Sequence, residues 1–169
     1  MSADETIQTL AQAEIFHGLT PEEIELFSQS AERVTCAKAA TVIEKGQVGA
    51  ALYIILTGEF AVDLPLGVYI PQQVGGTVER RMTKVQLNTL QAGDCFGEYS
   101  LLDDQPTSAS VVASEAGELL KIPRAAFEAM LHGHDRIAKT VYGNMLRILI
   151  GRLRRQNAEW SLYLQNYGV

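Results

Sequence analysis

The residues of this chain best suited to holding a ligand are gathered in one run, Gly93-Asp94-Cys95-Phe96-Gly97-Glu98-Tyr99-Ser100-Leu101-Leu102-Asp103-Asp104-Gln105-Pro106-Thr107-Ser108-Ala109-Ser110-Val111. It places glycine, a carboxylate and a short polar loop between two strand-like segments. Backbone amides in such a loop can cradle a small anion, and Glu98 can accept hydrogen bonds from a sugar diol. Glu98 also has a purely structural reading, as a turn cap or an acceptor for amides inside the fold, and Tyr99 and Ser100 read as packing and turn residues. No nucleophile–base pair, metal motif or dinucleotide fingerprint accompanies the run. His17, His132 and His134 form no metal constellation, so neither catalytic nor metal-ligating residues are assigned.

Several elements must position this run. Before it, residues 6–17 carry an amphipathic pattern closed by Gly18, which predicts a helix. Thr20-Pro21-Glu22-Glu23 then supplies an N-cap hydroxyl, a proline at the first helical position and a carboxylate three residues on, the signature of a second helix. From Arg33 the pattern changes to short β-rich runs divided by glycine, over 40–44, 51–56 and 57–62. Further strands are predicted at 85–90, 110–113 and 118–122, a spacing that suggests a small barrel or sandwich. Residues 63–84 break the rhythm with two prolines, three glycines and Glu79-Arg80-Arg81, and read as a long hairpin excursion or mobile loop. Arg80, Arg81 and Lys84 are the basic residues there that could fold over a pocket, although basic loop residues usually face water.

The final third reads as helical. Pro123-Arg124-Ala125-Ala126-Phe127 starts a short helix, Gly133 separates it from a longer one, and that one begins near Asp135 and runs past Trp160. Tyr142, Leu146, Leu149, Leu153, Gln156, Trp160, Tyr163 and Tyr167 recur at spacings of four and three, as in a coiled-coil seam. Ile137, Val141, Met145 and Ile148 form a second stripe. One face is expected to pack on the barrel while Tyr142, Leu146, Leu149, Leu153 and Trp160 meet another subunit.

The whole chain bounds these readings. Its 169 residues suit one ordinary domain, and a composition of 47% hydrophobic and 20% charged residues is that of a globular protein. A formal charge of −6 and a pI near 5.1 disfavour broad binding to nucleic acid or anionic membranes. Cys36 and Cys95, far apart, read as reduced core thiols. No secretory signal or membrane-length apolar stretch is present in the sequence, so a cytoplasmic protein without membrane contact is expected.

At Phe96-Gly97-Glu98 the chain resembles the cyclic-nucleotide-binding domain family. The resemblance runs over about residues 14 to 131. It takes in Phe16-His17-Gly18-Leu19-Thr20, Gly46, Leu52-Tyr53-Ile54-Ile55-Leu56-Thr57-Gly58 and Lys121-Ile122-Pro123-Arg124-Ala125-Ala126-Phe127. It implies a mainly β fold with flanking helices: a double-stranded β-helix, or jelly-roll, barrel over 1–134, and a long C-terminal helix over 135–169 serving as lid or dimerisation element. In the family the cassette glutamate binds the ribose 2′-hydroxyl and a cassette arginine pairs with the cyclic phosphate. Glu98 matches the first; Thr107 stands where the arginine is expected. The ligand-binding candidates are thus Phe96, Gly97, Glu98, Tyr99, Ser100, Thr107, Ser108 and Ala109.

The missing arginine has a calculable consequence. Each charge-assisted hydrogen bond is worth roughly 1.5–3 kcal/mol, about 10- to 150-fold in affinity, and a bidentate arginine supplies two. The expectation is a non-catalytic sensor domain with weak or absent cyclic AMP or cyclic GMP binding, a nucleotide-like small molecule as its ligand, and a homodimer or another protein as its partner. The alternative is a ligand-independent interaction module. Regulators of this family that bind DNA carry a helix-turn-helix after the long helix, whereas this chain ends at Val169, so direct DNA binding is not expected.

Overall fold

The computed structural model describes residues 3–69 and 80–167. Among the described residues, eight strands form two four-stranded antiparallel sheets. One has the order β1 (Glu32–Cys36), β8 (Gly117–Pro123), β3 (Ala51–Thr57), β6 (Cys95–Phe96); the other has β2 (Thr41–Ile43), β7 (Ser110–Ala113), β4 (Phe60–Tyr69), β5 (Arg80–Leu90). Helices α1 (Ala3–Gln12) and α2 (Pro21–Gln29) precede the sheets, α3 (Glu98–Asp103) lies within the cassette, and α4 (Arg124–Gly133) and α5 (Asp135–Tyr167) follow. This is the jelly-roll architecture expected.

Two apolar clusters hold it together. Ile43, Ile55, Phe60, Leu90, Phe96, Val111, Ala113 and Leu119 fill the space between the sheets. The other faces of β3 and β8, through Leu52, Ile54, Leu56, Leu120 and Ile122, meet Leu10, Ile15, Phe16, Phe27, Phe127 and the first half of α5. The strands bury both faces, which explains why β3 and β8 read as nearly continuous apolar runs.

Local chemistry explains most boundaries. Thr20 and Glu23 form the reciprocal capping box at the start of α2, with Thr20 N donating to Glu23 Oε2 at 2.8 Å and Glu23 N to Thr20 Oγ1 at 3.3 Å. The first predicted helix is divided: α1 stops at Gln12, and Glu14–Phe16 form a separate 3₁₀ turn with Ile15 and Phe16 buried. Strand β1 escaped the sequence reading because only Cys36 of its five residues is buried. Pairing with β8 makes it a strand, and Arg33–Glu118 at 2.9 Å and Glu32–Lys121 at 3.0 Å bridge the two.

The excursion over 63–84 is the continuation of β4 and β5 as a hairpin arm whose residues 70–79 lie outside the described residues. Among the described residues β4 pairs beyond Asp63 with β5 alone, and a strand paired on one edge tolerates Pro65. Lys84 is engaged with the buried Asp63 at 2.6 Å and does not fold over the cassette; the side chains of Arg80 and Arg81 lie outside the described residues.

Helix α5 separates into the two expected stripes. Ile137, Val141, Met145 and Ile148 are buried, while Tyr142, Leu146, Leu153, Trp160 and Tyr163 are exposed and Leu149 is half-buried. Buried Asn144 secures the packed half, donating through Nδ2 to the carbonyls of Ile15 (3.0 Å) and His17 (2.8 Å).

The cassette is seated against the turn before β3 by close approach at Gly49, where an added Cβ would lie 2.1 Å from the Ser100 Cβ. Gly49→Ala should therefore destabilise the fold by about 1–3 kcal/mol. In thermal unfolding, Gly49→Ala with Ser100→Gly should recover most of that loss; a double variant no better than the single one would show that the strain lies elsewhere.

Candidate functional site

The site is assembled around the β6–α3 junction. Strand β6 pairs with β3 through Tyr53↔Phe96 and Ile54↔Cys95, and the Tyr53 and Phe96 rings stack with centroids 4.9 Å apart. The chain then turns at Gly97, whose φ of +88° and 2.6 Å approach of an added Cβ to the Ala51 carbonyl require glycine. That turn directs Glu98, the first residue of α3, into the interior, where it is 2% exposed. The segment read as a short polar loop is thus partly a helix.

Glu98 is not empty-handed. Arg152, on α5, donates from Nη1 to Glu98 Oε1, and from Nη2 to the Cys95 carbonyl at 2.6 Å. Tyr99 also interacts with the Arg152 guanidinium. Burial pushes the Glu98 carboxyl above the ordinary carboxylate range, against the pull of the Arg152 charge and hydrogen bond. Burial likewise pushes the neighbouring Cys95 thiol far up, so it is an inert core group. The Glu98 carboxylate is thus engaged by a side chain of the same chain.

At the other end of the cassette, Thr107 is buried and its hydrogen bonds turn inward. Its hydroxyl donates to the Glu44 carbonyl at 2.7 Å and accepts from Gln47 N at 3.2 Å. Its backbone exchanges bonds with the same turn, from Gly46 N to Thr107 O and from Thr107 N to Gln47 O, both 2.8 Å. Thr107 therefore acts as a staple between the cassette and the β2–β3 turn. Ser108 is exposed and Ala109 half-buried, while Ser110 Oγ accepts from Lys45 N at 3.0 Å.

Arg124 completes the closure from α4. It donates to the Gly49 carbonyl at 3.2 Å, to Asp104 Oδ1 at 2.6 Å and to the Ser100 carbonyl. Ser100 is buried beneath it, whereas Tyr99 is 43% exposed. The structure thus brings Phe96, Gly97, Glu98, Tyr99 and Ser100 together around one junction and sets Thr107 on the β2–β3 turn. A cavity of about 320 Å³ lies beside this junction, with Cys95, Ile148, Arg152 and Arg155 in its wall; a second, of about 370 Å³, lies on the other sheet near Asp63. Neither is lined by Glu98 or Thr107.

Arg152 and Arg124 were missed in the sequence. For Arg152 a signal exists: it continues the buried stripe of Ile137, Val141, Met145 and Ile148 one turn further, so a cation stands where the pattern asks for an apolar residue. A charge on a buried stripe needs a buried partner. Among the described residues no group of His, Cys, Asp and Glu could hold a metal ion, and no helix is long and apolar enough to cross a membrane.

The pair makes a pH-dependent prediction. Because burial raises the Glu98 pKa in the folded state, its contribution to stability is fully present below the ordinary carboxylate range and is lost as pH rises through the folded value. Arg152→Met removes the opposing pull and moves that value higher, so the variant should lose less stability relative to wild type at pH 5 than at pH 8. At pH 8 it should lose about 3 kcal/mol, the lower end for a broken buried pair because the Arg152 side chain is 18% exposed. Urea unfolding at both pH values measures this; an equal loss at each would show that Glu98 does not feel Arg152.

Comparison with known proteins places this arrangement. The cyclic nucleotide-binding domain model matches residues 33–134. The cyclic AMP receptor protein of Thermus thermophilus is 32% identical over 148 residues, covering 88% of this chain and 61% of that protein. The crystal structure of the Thermus thermophilus catabolite activator protein superposes with a TM-score of 0.67 at 28% identity, covering 92% of this chain and 72% of that one. A regulatory subunit of a cAMP-independent protein kinase A from Trypanosoma cruzi, bound to guanosine, superposes with a TM-score of 0.61 at 26% identity, covering 76% and 41%. The chain thus spans less than two thirds of the curated relative and less than half of the kinase subunit. With its barrel, its Phe96-Gly97-Glu98 turn and its match over 33–134, the chain belongs to the cyclic nucleotide-binding domain family.

Proposed function

We propose that this protein is a non-catalytic regulatory domain that binds cyclic AMP and cyclic GMP weakly or not at all, and whose barrel takes an uncharged, ribose-bearing ligand. The observation that carries the reading is Thr107. It puts no cation where the family arginine would meet a phosphate, and both roles of its hydroxyl are spent on Glu44 and Gln47. A cyclic phosphate entering there would lose its water without gaining a charge-assisted partner.

Glu98 supports the sugar-binding half of the reading. A carboxylate is an acceptor for hydroxyl groups and has no use for a phosphate. A nucleoside keeps the ribose and drops the charge, and the guanosine-bound kinase regulatory subunit is a relative with such a ligand. Residues 1–134 form the sensing barrel in this view, and 135–169 its responsive helix.

Isothermal titration calorimetry with cyclic AMP, cyclic GMP and guanosine tests this. Guanosine should bind more tightly than either cyclic nucleotide, and neither cyclic nucleotide should reach submillimolar affinity. Submillimolar binding of cyclic AMP would overturn the reading.

A second reading is favoured by the exposed seam on α5: a homodimer formed by pairing this helix with that of a second copy, independent of any ligand. Tyr142, Leu146, Leu153 and Trp160 are each 45–60% exposed, a large apolar surface for a helix that repeats at coiled-coil spacing, with Leu149 half-buried beside them. Wild type should sediment as a dimer, and Leu146→Asp with Leu153→Asp should give a folded monomer. A wild-type monomer at micromolar concentration would remove this interface.

A further inference from the structure

The geometry points to a second ligand site outside the cassette: the cavity of about 320 Å³ between α5 and the β5–β6 turn, which takes a small sugar phosphate with its phosphoryl group between Arg147 and Arg155. Neither Glu98 nor Thr107 lines this cavity, so the site is independent of the nucleoside reading.

The first observation is a pair of uncommitted guanidiniums. Arg147, Gly151 and Arg155 follow one another at intervals of four along α5, so they share one helix face, and all three line the cavity. Arg147 spends one nitrogen on a neutral acceptor, Asn144 Oδ1 at 2.8 Å. Arg155 makes no hydrogen bond or ion pair among the described residues. The third arginine of the wall, Arg152, is committed to Glu98 and the Cys95 carbonyl and adds no free charge. Two planar forks on either side of one gap suit the several charged oxygens of a phosphoryl group. Residues 147–155 hold four of the chain's 14 basic side chains and no acidic one, in a protein of net charge −6, so positive potential is concentrated on this part of α5.

The second observation is the gap itself. Gly151 lies midway between the two arginines, and a Cβ added there would meet nothing within 4 Å. Neighbouring atoms therefore do not require a glycine, and glycine weakens a helix interior. Its missing side chain leaves open space against the helix backbone between two cations, where a phosphoryl group can approach closely.

The third observation is the remainder of the wall, which is polar. Asn88 brings an amide, Thr89 a hydroxyl, and Glu14 and Asp94 two carboxylates. Asp94 uses Oδ2 to accept from Gln91 N at 2.8 Å. Carboxylates repel an anion but accept hydrogen bonds from hydroxyl groups, so this wall selects a ligand that carries hydroxyls away from its phosphoryl end. The cavity is at the small end of the range for ligand pockets, a size for a monosaccharide phosphate.

Titration of the whole chain with glucose 6-phosphate, glucose and inorganic phosphate, by calorimetry and by NMR of the backbone amides, tests the site. Glucose 6-phosphate should bind more tightly than inorganic phosphate, and glucose should give no heat. Its phosphate ester should move the amide signals of Thr89, Gly93 and Gly151 and leave those of Gly97 and Thr107 in place. Arg155→Gln should bind it about tenfold more weakly or worse, the loss of one charge-assisted bond. Arg154→Gln, whose side chain lies outside the cavity wall, should bind as wild type does. Gly151→Leu should lose binding while its thermal midpoint stays at or above that of wild type, because leucine is the better helix former, and this separates filling of the site from damage to the fold.

Absence of heat with glucose 6-phosphate at millimolar concentration would overturn the inference. So would an equal loss in Arg154→Gln and Arg155→Gln, the mark of a diffuse charge effect, or signal changes at Gly97 and Thr107, which would put the anion in the cassette. Inorganic phosphate binding as tightly as the sugar phosphate would overturn the choice of ligand. Guanosine titration tests the cassette separately, so failure of either site leaves the other standing.

Discussion

The site depends on one ion pair, Arg152 with Glu98. A carboxylate that is 2% exposed must be neutralised, protonated or hydrogen-bonded, and in this chain an arginine from the last helix meets that demand. The pair fixes the orientation of Glu98, ties β6 to α5 through the Cys95 carbonyl, and sets the end of the packed part of the helix. Barrel, cassette and C-terminal helix are thus connected at a single charged contact. Its strength comes from exclusion of water, and the same exclusion makes either partner costly to leave alone.

The rest of the cassette is closed by ordinary means arranged around that contact. Thr107 staples one end to the 44–47 turn with four hydrogen bonds, two through its hydroxyl and two through its backbone. Arg124 fastens the other end to Gly49, Ser100 and Asp104. Gly49 and Gly97 allow the backbone approaches that let α3 sit so close to β3. The loop is therefore held in shape by contacts within the protein.

Much of the architecture was legible in the sequence because it is written in local chemistry and periodicity. The capping box at Thr20 and Glu23, the glycine-punctuated strands and the two stripes of α5 each follow from spacing and residue type. The misreadings have equally definite causes. Strand β1 is polar on most of its surface and becomes a strand through its pairing with β8. The 63–84 segment has the composition of a loop, yet Pro65 sits in a strand because among the described residues β4 is paired there on one edge only. The cassette's short helix was read as a loop because its six residues, Glu98–Asp103, are too few to show a helical period.

The candidate site divides along the same line. Sequence alone determined the family fold, the place of Glu98 and the absence of a cation at Thr107, since these are matters of which residue stands at which position of a motif. What meets Glu98 was decided by tertiary structure. Arg152 lies 54 positions further along the chain, and no motif joins the two. Only the packing of Ile137, Val141, Met145 and Ile148 on the barrel brings that turn of α5 to the β6–α3 junction. The sequence held a hint, a cation continuing an apolar stripe, but a partner for a buried charge is a property of the space around it, and that space exists only once the barrel and the helix have met.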